Sequence, residues 1–100
     1  MNDTFRIGMR VLAGDDDVGV VDDILVTREG VLRFIVVMHN GVFGSDVVLP
    51  VNEATVAGNR IRLSLTKAQV EAGERYDRTR HGESAGLFSV SAGRYDRQDD

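Results

Sequence analysis

Two valine-rich runs dominate the pattern of apolar positions along the chain, Val18–Thr27 and Val31–His39. The turn Arg28–Gly30 separates them, and a glycine-rich link leads from the second run to a third, Asp46–Pro50. Runs this rich in β-branched residues, broken by glycine, are typical of consecutive antiparallel strands joined by tight turns. The pattern therefore predicts a small all-β fold.

Further strands are predicted on both sides of these runs. Ile7–Ala13 has the apolar content of a first strand, and Val51–Ala57 leads into the pair Gly58-Asn59. That pair is typical of two-residue hairpin turns. Arg60–Leu65 then alternates polar and apolar residues, which predicts a strand with one buried face.

A short helix is predicted after the last strand. Thr66 and Gln69 have the spacing of a capping box, in which each side chain bonds the backbone amide of the other residue. The helix is expected to run from Lys67 to about Arg75. Because the composition becomes polar beyond Gly73, we divide the chain into a β domain, residues 1–73, and a polar C-terminal extension, residues 74–100.

The central run is apolar on both faces. One face is expected to form the core, and it carries Leu32, Phe34, Val36 and Met38. The other face has Ile35 and Val37 at its centre and polar residues at its ends. A strand buried on both faces in so small a protein predicts that the tail or a second subunit covers this outer face.

The extension contains one apolar patch, Ala85–Val90, and two copies of Tyr-Asp-Arg, at residues 76–78 and 95–97. Two hypotheses remain open. In one, the extension is a disordered polar tail and the repeat is a coincidence. In the other, it is a docking arm whose Leu87 and Phe88 pack on the outer apolar face, in the same chain or on a partner subunit.

Length and composition restrict the class of protein. One hundred residues make one domain, and a core this small is commonly reinforced by disulfides, metals or oligomerisation. The chain has no cysteine, so self-association is the expected reinforcement and a homodimer is predicted. Its start lacks the features of a secretion signal, and no apolar run reaches the roughly 20 residues that span a bilayer. A cytoplasmic protein without a membrane span is therefore predicted.

Acidic residues near the first hairpin disfavour direct binding of nucleic acid. The formal net charge is −4, and five aspartates cluster in this region: Asp15, Asp16, Asp17, Asp22 and Asp23. Their field repels phosphate backbones, whereas proteins that bind nucleic acid present a basic face.

The same aspartates raise the question of a cation site. Asp15 and Asp17 alternate as at the start of a calcium loop, but the twelfth position is Val26, where a bidentate glutamate is needed. A solvated turn is the favoured interpretation. Asp22 and Asp23 face opposite ways in a regular strand, so together they predict a bulge or an exposed edge and a pairing with an arginine such as Arg10 or Arg33.

No arrangement of residues predicts catalysis. The chain has two histidines: His39, at the end of a strand, is expected to be structural, and His81, in the extension, is expected to be solvated. With no nucleophile paired to a base, we predict neither an enzyme nor a cofactor or metal. Phe43, in the link Gly41–Gly44, is expected either to fold back over the end of the β fold or to contact a partner.

The order of these pieces resembles the PRC-barrel domain family over about residues 5–72. The resemblance is carried by Gly8–Val11, Val18–Asp23, Arg33–Val37, Asp46–Pro50 and Leu65–Lys67. It implies a small β-barrel of antiparallel hairpins and a role as a binding module. Relatives are found in the cytoplasmic subunit of bacterial photosynthetic reaction centres and in a factor that matures the small ribosomal subunit through a protein contact.

The sequence therefore predicts a non-catalytic, self-associating adaptor that buries its outer apolar face against a partner. The residues predicted to bind that partner are Arg33, Ile35, Val37, His39, Phe43, Leu87 and Phe88. Two alternatives stay open. One is an accessory role in RNA or ribosome maturation through a protein contact, and the other is a small-ligand or divalent-cation regulator that uses Asp15–Asp17.

Overall fold

A computed structural model describes residues 4–39 and 46–91. One sheet of eight strands dominates them. The strands are β1 Arg10–Ala13, β2 Asp16–Val26, β3 Leu32–His39, β4 Asp46–Pro50, β5 Ala54–Ala57, β6 Arg60–Leu63, β7 Glu74–Arg75 and β8 Phe88–Ser89. The helix α1 is Lys67–Glu71, and short 3-10 helices lie at Val51–Glu53 and Glu83–Ala85. The predicted all-β class is confirmed.

The strands are ordered β5-β6-β1-β2-β3-β4-β7, and β8 pairs with β2 beside β1. Successive hairpins are antiparallel as predicted, but β1 pairs with β6 in parallel, which the sequence prediction missed. Within the described residues the sheet is not closed into a barrel, which corrects the small β-barrel expected from the family resemblance. The two end strands of this path, β5 and β7, do not pair with each other, and β7 has only two residues.

The ends of several elements differ from the prediction for local reasons. β1 begins at Arg10 rather than Ile7 because Met9 donates its backbone N–H to the Arg6 carbonyl and closes a turn at 3.3 Å. The capping box is confirmed, with the Thr66 hydroxyl 3.1 Å from the Gln69 amide. α1 ends at Glu71, short of the predicted Arg75, because the chain then turns into β7.

The predicted irregularity at the paired aspartates is confirmed as a bulge in β2. Val21 pairs with Val37 of β3, but Asp23 pairs with Val36, so Asp22 is the extra residue. The bulge changes the phase of the strand, and Val21 and Ile24 therefore both enter the main core.

The main core lies on the face of β3 that carries Ile35 and Val37, each with no exposed area. Val11 of β1, Ile61 of β6 and Val70 of α1 close over them. The predicted assignment of faces was therefore wrong, because the face expected to be outer is the interior. A strand that is apolar on both sides does not specify which side its neighbours will cover.

A second apolar cluster lies on the opposite face of the sheet. It consists of Leu25, Val36, Val48 and Leu87, with Phe34 and Tyr76 packed against it. The prediction that both faces of β3 are covered is confirmed. The covering segment belongs to the same chain, and Leu87 packs beside Val36 rather than beside Ile35 and Val37.

The C-terminal part of the described chain belongs to this same sheet. β7 pairs with β4, and β8 pairs with β2 at Leu25 and Val26. The Val90 amide also donates to the Ile24 carbonyl at 3.0 Å. Residues 74–91 are thus packed against strands of the predicted domain. None of the helices in the described ranges has the length and hydropathy to cross a membrane.

Candidate functional site

The bulge in β2 brings two neighbouring carboxyl groups to one pocket. Asp22 and Asp23 would face opposite sides of a regular strand, but both line a cavity of about 350 Å³. Its other lining residues are Met38, Asp46, Arg75, Tyr76, Arg78 and Ser91. We call it the carboxylate pocket. It lies where β2, β4 and β7 meet the end of the described chain.

Asp23 is the buried member of the pocket, with only 5% of its surface exposed. Its carboxylate accepts hydrogen bonds from the Ile24 amide at 2.7 Å, from the Ser91 amide at 3.0 Å and from the Ser89 hydroxyl. A buried carboxylate requires such partners to offset its loss of hydration. Asp23 thereby fastens the end of the described chain to the bulge.

The predicted pairing of these aspartates with Arg10 or Arg33 is wrong. The Arg10 guanidinium instead binds the Asp17 carboxylate at 3.0 Å. Asp17 also accepts the Gly19 amide at 3.1 Å, as a side chain that organises a turn does. Within residues 4–39 and 46–91, no three acidic or histidine side chains are placed to hold a metal ion.

Asp46, the first residue of β4, carries a pKa raised from 3.8 to about 6. Burial is the largest cause, followed by a hydrogen bond with the Asp22 carboxyl group and by the negative charges of Asp22 and Asp23. A hydrogen bond between two carboxyl groups requires a proton on one of them. The pair therefore retains a proton at weakly acidic pH.

Tyr76 connects this pocket to the loop that follows β7. Its backbone N–H donates to the Asp46 carbonyl at 3.0 Å, and its ring stacks on the His81 ring with 5.9 Å between centroids. Burial, and then the negative charge of Asp23, raise the pKa of the Tyr76 hydroxyl. Tyr76 therefore stays neutral at physiological pH.

His81 is buried, with 7% of its surface exposed, so the prediction that it is solvated is wrong. Its Nδ1 atom lies 3.0 Å from both the amide and the carbonyl of Asp77. Its Nε2 atom lies 3.1 Å from a Glu74 carboxylate oxygen that also accepts from Arg80 at 2.7 Å. No sequence pattern indicated that His81 would be buried, because it stands in a polar segment without apolar periodicity.

Two of the predicted partner-binding residues are unavailable at the surface and two are accessible. Ile35 and Val37 lie in the main core. Arg33 is exposed and is the extra residue of a second bulge, between β2 and β3. His39 is half-buried, with its Nε2 atom 3.6 Å from the Glu71 carboxylate. Phe43 lies outside the described residues.

The other two predicted residues, Leu87 and Phe88, are neighbours in the chain that pack on opposite faces of the sheet. Leu87 is buried in the second cluster, and Phe88 packs against the main core. The Arg28 guanidinium lies 5.3 Å from the centroid of the Phe88 ring, a cation–π contact. Leu87 is therefore not at a free surface, whereas Phe88 is half-buried.

Comparison with protein families identifies the central part of the chain. A sequence model of the PRC-barrel domain matches residues 6–70. The match includes β1 to β6, and with them all three aspartates of the carboxylate pocket. It ends before β7, so the segment that covers the second cluster lies outside it. None of the curated proteins matches the chain.

Proposed function

Because the chain belongs to the PRC-barrel domain family, we propose that it acts as a non-catalytic protein-binding module. The family match across residues 6–70 is the observation that carries this proposal. Domains of this family are small β structures with frequent roles in protein interaction. In this chain, residues 74–91 pack against such a domain through β7 and β8.

The buried polar side chains have structural partners within the chain. Asp23 and His81 are the two buried polar residues of the described chain, and both hold the segment after β7 in place. Asp17 organises the first turn. These three side chains stabilise the fold, because each is already hydrogen-bonded or paired with another group of the protein.

Self-association is the form of binding that the small core favours. Because Ile35 and Val37 are buried, a second copy would have to contact other apolar residues. Three large apolar side chains are exposed in the described structure: Ile7, Val31 and Val90, with Val31 the most exposed at 52%. Light scattering at tens of micromolar is expected to give twice the chain mass of 11.0 kDa. A mass of one chain would contradict the dimer but not the proposal that the chain is a protein-binding module.

Capture from the native lysate tests the module itself. Full-length protein is used as bait with and without nuclease, and an Ile35→Asn variant controls for proteins that bind unfolded chain. We expect recovery of one protein or complex that survives nuclease and is absent from the control. Ribosomal proteins in that fraction would indicate the maturation role. Recovery of the bait alone, together with the mass of a single chain in light scattering, would contradict the proposal.

A further inference from the structure

Residues 83–91, which we call the cover, place the Leu87 side chain on the apolar face formed by Leu25, Val36 and Val48. That face belongs to β2, β3 and β4, which are inside the family match, whereas the cover is outside it. We propose that this face is the protein-binding surface of the module, and that an extended segment of a partner displaces the cover to reach it. This inference rests on the proposed function and names the surface it uses.

The cover buries little of its side-chain surface, although hydrogen bonds to Asp23 and Ile24 hold its end. β8 contributes two residues, which pair with Leu25 and Val26, whereas β3 pairs with β2 from Gly19 to Val26. Leu87 is the one deeply buried side chain of the cover. Residues 83–86 are exposed, and Val90 is 38% exposed. Segments with few buried contacts open locally without unfolding the protein.

The contacts of the cover define the chemistry of the segment that would replace it. Leu87 fills an apolar site, and β8 adds an antiparallel strand to the edge of β2. The Ser89 hydroxyl and the Ser91 amide then donate to Asp23. A partner segment therefore needs an extended backbone, a leucine-sized apolar residue, and hydrogen-bond donors two and four residues further on. Strand addition to a sheet edge is an established mode of peptide recognition.

A reversible lock on the cover tests the inference. Val26 and Phe88 face each other across the β2–β8 pair. Facing residues of an antiparallel pair lie about 4.5–5.5 Å apart, which a disulfide can span. The chain has no cysteine of its own, so a V26C/F88C double variant forms one defined bond. The same protein is then compared oxidised and reduced, and wild type under both conditions is the control.

The probe is a fluorescent peptide with the sequence of residues 83–91. We expect it to bind the reduced variant and to lose at least about tenfold in affinity on oxidation. A matched peptide carrying Leu87→Ala should bind neither form. Equal binding of the parent peptide to both forms, or binding to neither, would overturn the inference. So would a disulfide that joins two copies, because the face would then take the cover of a second molecule.

Lysate capture with the same variant separates this inference from the proposed function. Recovery of the partner by the reduced form alone would support both. Recovery by both forms would overturn the inference and leave the module intact, because the partner would bind elsewhere. Recovery by neither form, when wild type also recovers nothing and has the mass of a single chain in light scattering, would overturn both.

Hydrogen exchange on wild type keeps the test decisive if the variant does not fold. The Val90 amide bonds the Ile24 carbonyl in the cover, and the Val21 amide bonds the Met9 carbonyl in the main sheet. We expect the Val90 amide to exchange at least about tenfold faster than the Val21 amide. Equal rates would show that the cover opens only with the whole fold, and would overturn the inference.

Discussion

The Asp23 carboxylate accepts a hydrogen bond from the Ser91 amide at 3.0 Å, across 68 positions of the chain. The bond joins a bulge inside the family domain to a segment outside it. Asp23 points toward Ser91 because the extra residue Asp22 changes the phase of β2. One local irregularity thus determines where the C-terminal segment is fastened.

Replacing this carboxylate should destabilise the protein. Asp23→Ala leaves the Ile24 and Ser91 amides without an acceptor, and a buried unpaired donor costs about 1–3 kcal/mol. The free energy of unfolding, measured by urea denaturation, should fall by about that amount. Asp16→Ala at an exposed position is the control, with an expected change below about 0.5 kcal/mol. Equal losses in the two variants would contradict the anchoring role.

Stability should fall as the pH rises through the titration of Asp46. Its pKa in the folded protein is about 6, raised from 3.8, so the folded state holds this proton more tightly than the unfolded state. The resulting contribution is complete below pH 3.8 and is lost by the time the pH passes about 6. Because the carboxyl group is half-buried and screened by solvent, we expect at most about 1 kcal/mol.

The variant Asp46→Asn isolates that contribution. It should gain stability relative to wild type between about pH 4 and pH 7, as measured by urea denaturation across the range. Asp22→Asn removes a negative charge and a hydrogen-bond partner of Asp46, so the carboxyl signal of Asp46 should titrate at lower pH by NMR. Parallel stability curves for wild type and Asp46→Asn would contradict the assignment.

Leu87 should be the main apolar anchor of the cover. It is 7% exposed and fills the cluster with Leu25, Val36 and Val48. Leu87→Ala should therefore lower the free energy of unfolding by about 2–3 kcal/mol, because it removes buried methyl groups and leaves a cavity. Val90→Ala, in the same segment but 38% exposed, should cost less than about 1 kcal/mol. A Leu87 effect as small as that of Val90 would show that the cover is not packed.

The loop after β7 should depend on His81. His81→Ala removes the stack on Tyr76, the contact with Glu74 and the hydrogen bond to the Asp77 backbone. We expect a loss of about 1–3 kcal/mol in thermal or urea denaturation. Arg80→Ala breaks an exposed ion pair with the same glutamate and should cost less than about 1 kcal/mol. The reverse order of the two effects would contradict a structural role for His81.

The local features of this fold were predictable because neighbouring residues produce them. The Thr66 capping box and the irregularity at Asp22-Asp23 depend on side chains a few positions apart, and both are present in the structure. The Gly58-Asn59 turn joins the antiparallel strands β5 and β6 as expected, with Gly58 at a φ of 66° that glycine adopts without strain. The family resemblance likewise followed from the order of such local pieces.

The long-range arrangement was not predictable in the same way. The parallel pairing of β1 with β6 joins Val11 to Ile61, and no local pattern encodes the choice of a distant neighbour. The two faces of β3 are both apolar, so the sequence could not show that Ile35 and Val37 would be the interior side. His81 had no apolar periodicity around it to indicate burial.

The sequence by itself determined the β class, the succession of hairpins, the helix cap and the family. These depend on backbone preferences and on contacts between near neighbours. Only the tertiary structure decided which face became the core, that Leu87 would cover the other face, and that Asp22 and Asp23 would share a pocket with Asp46. Those outcomes depend on the total apolar area that strands distant in the chain bury together. No single segment of the sequence determines that total.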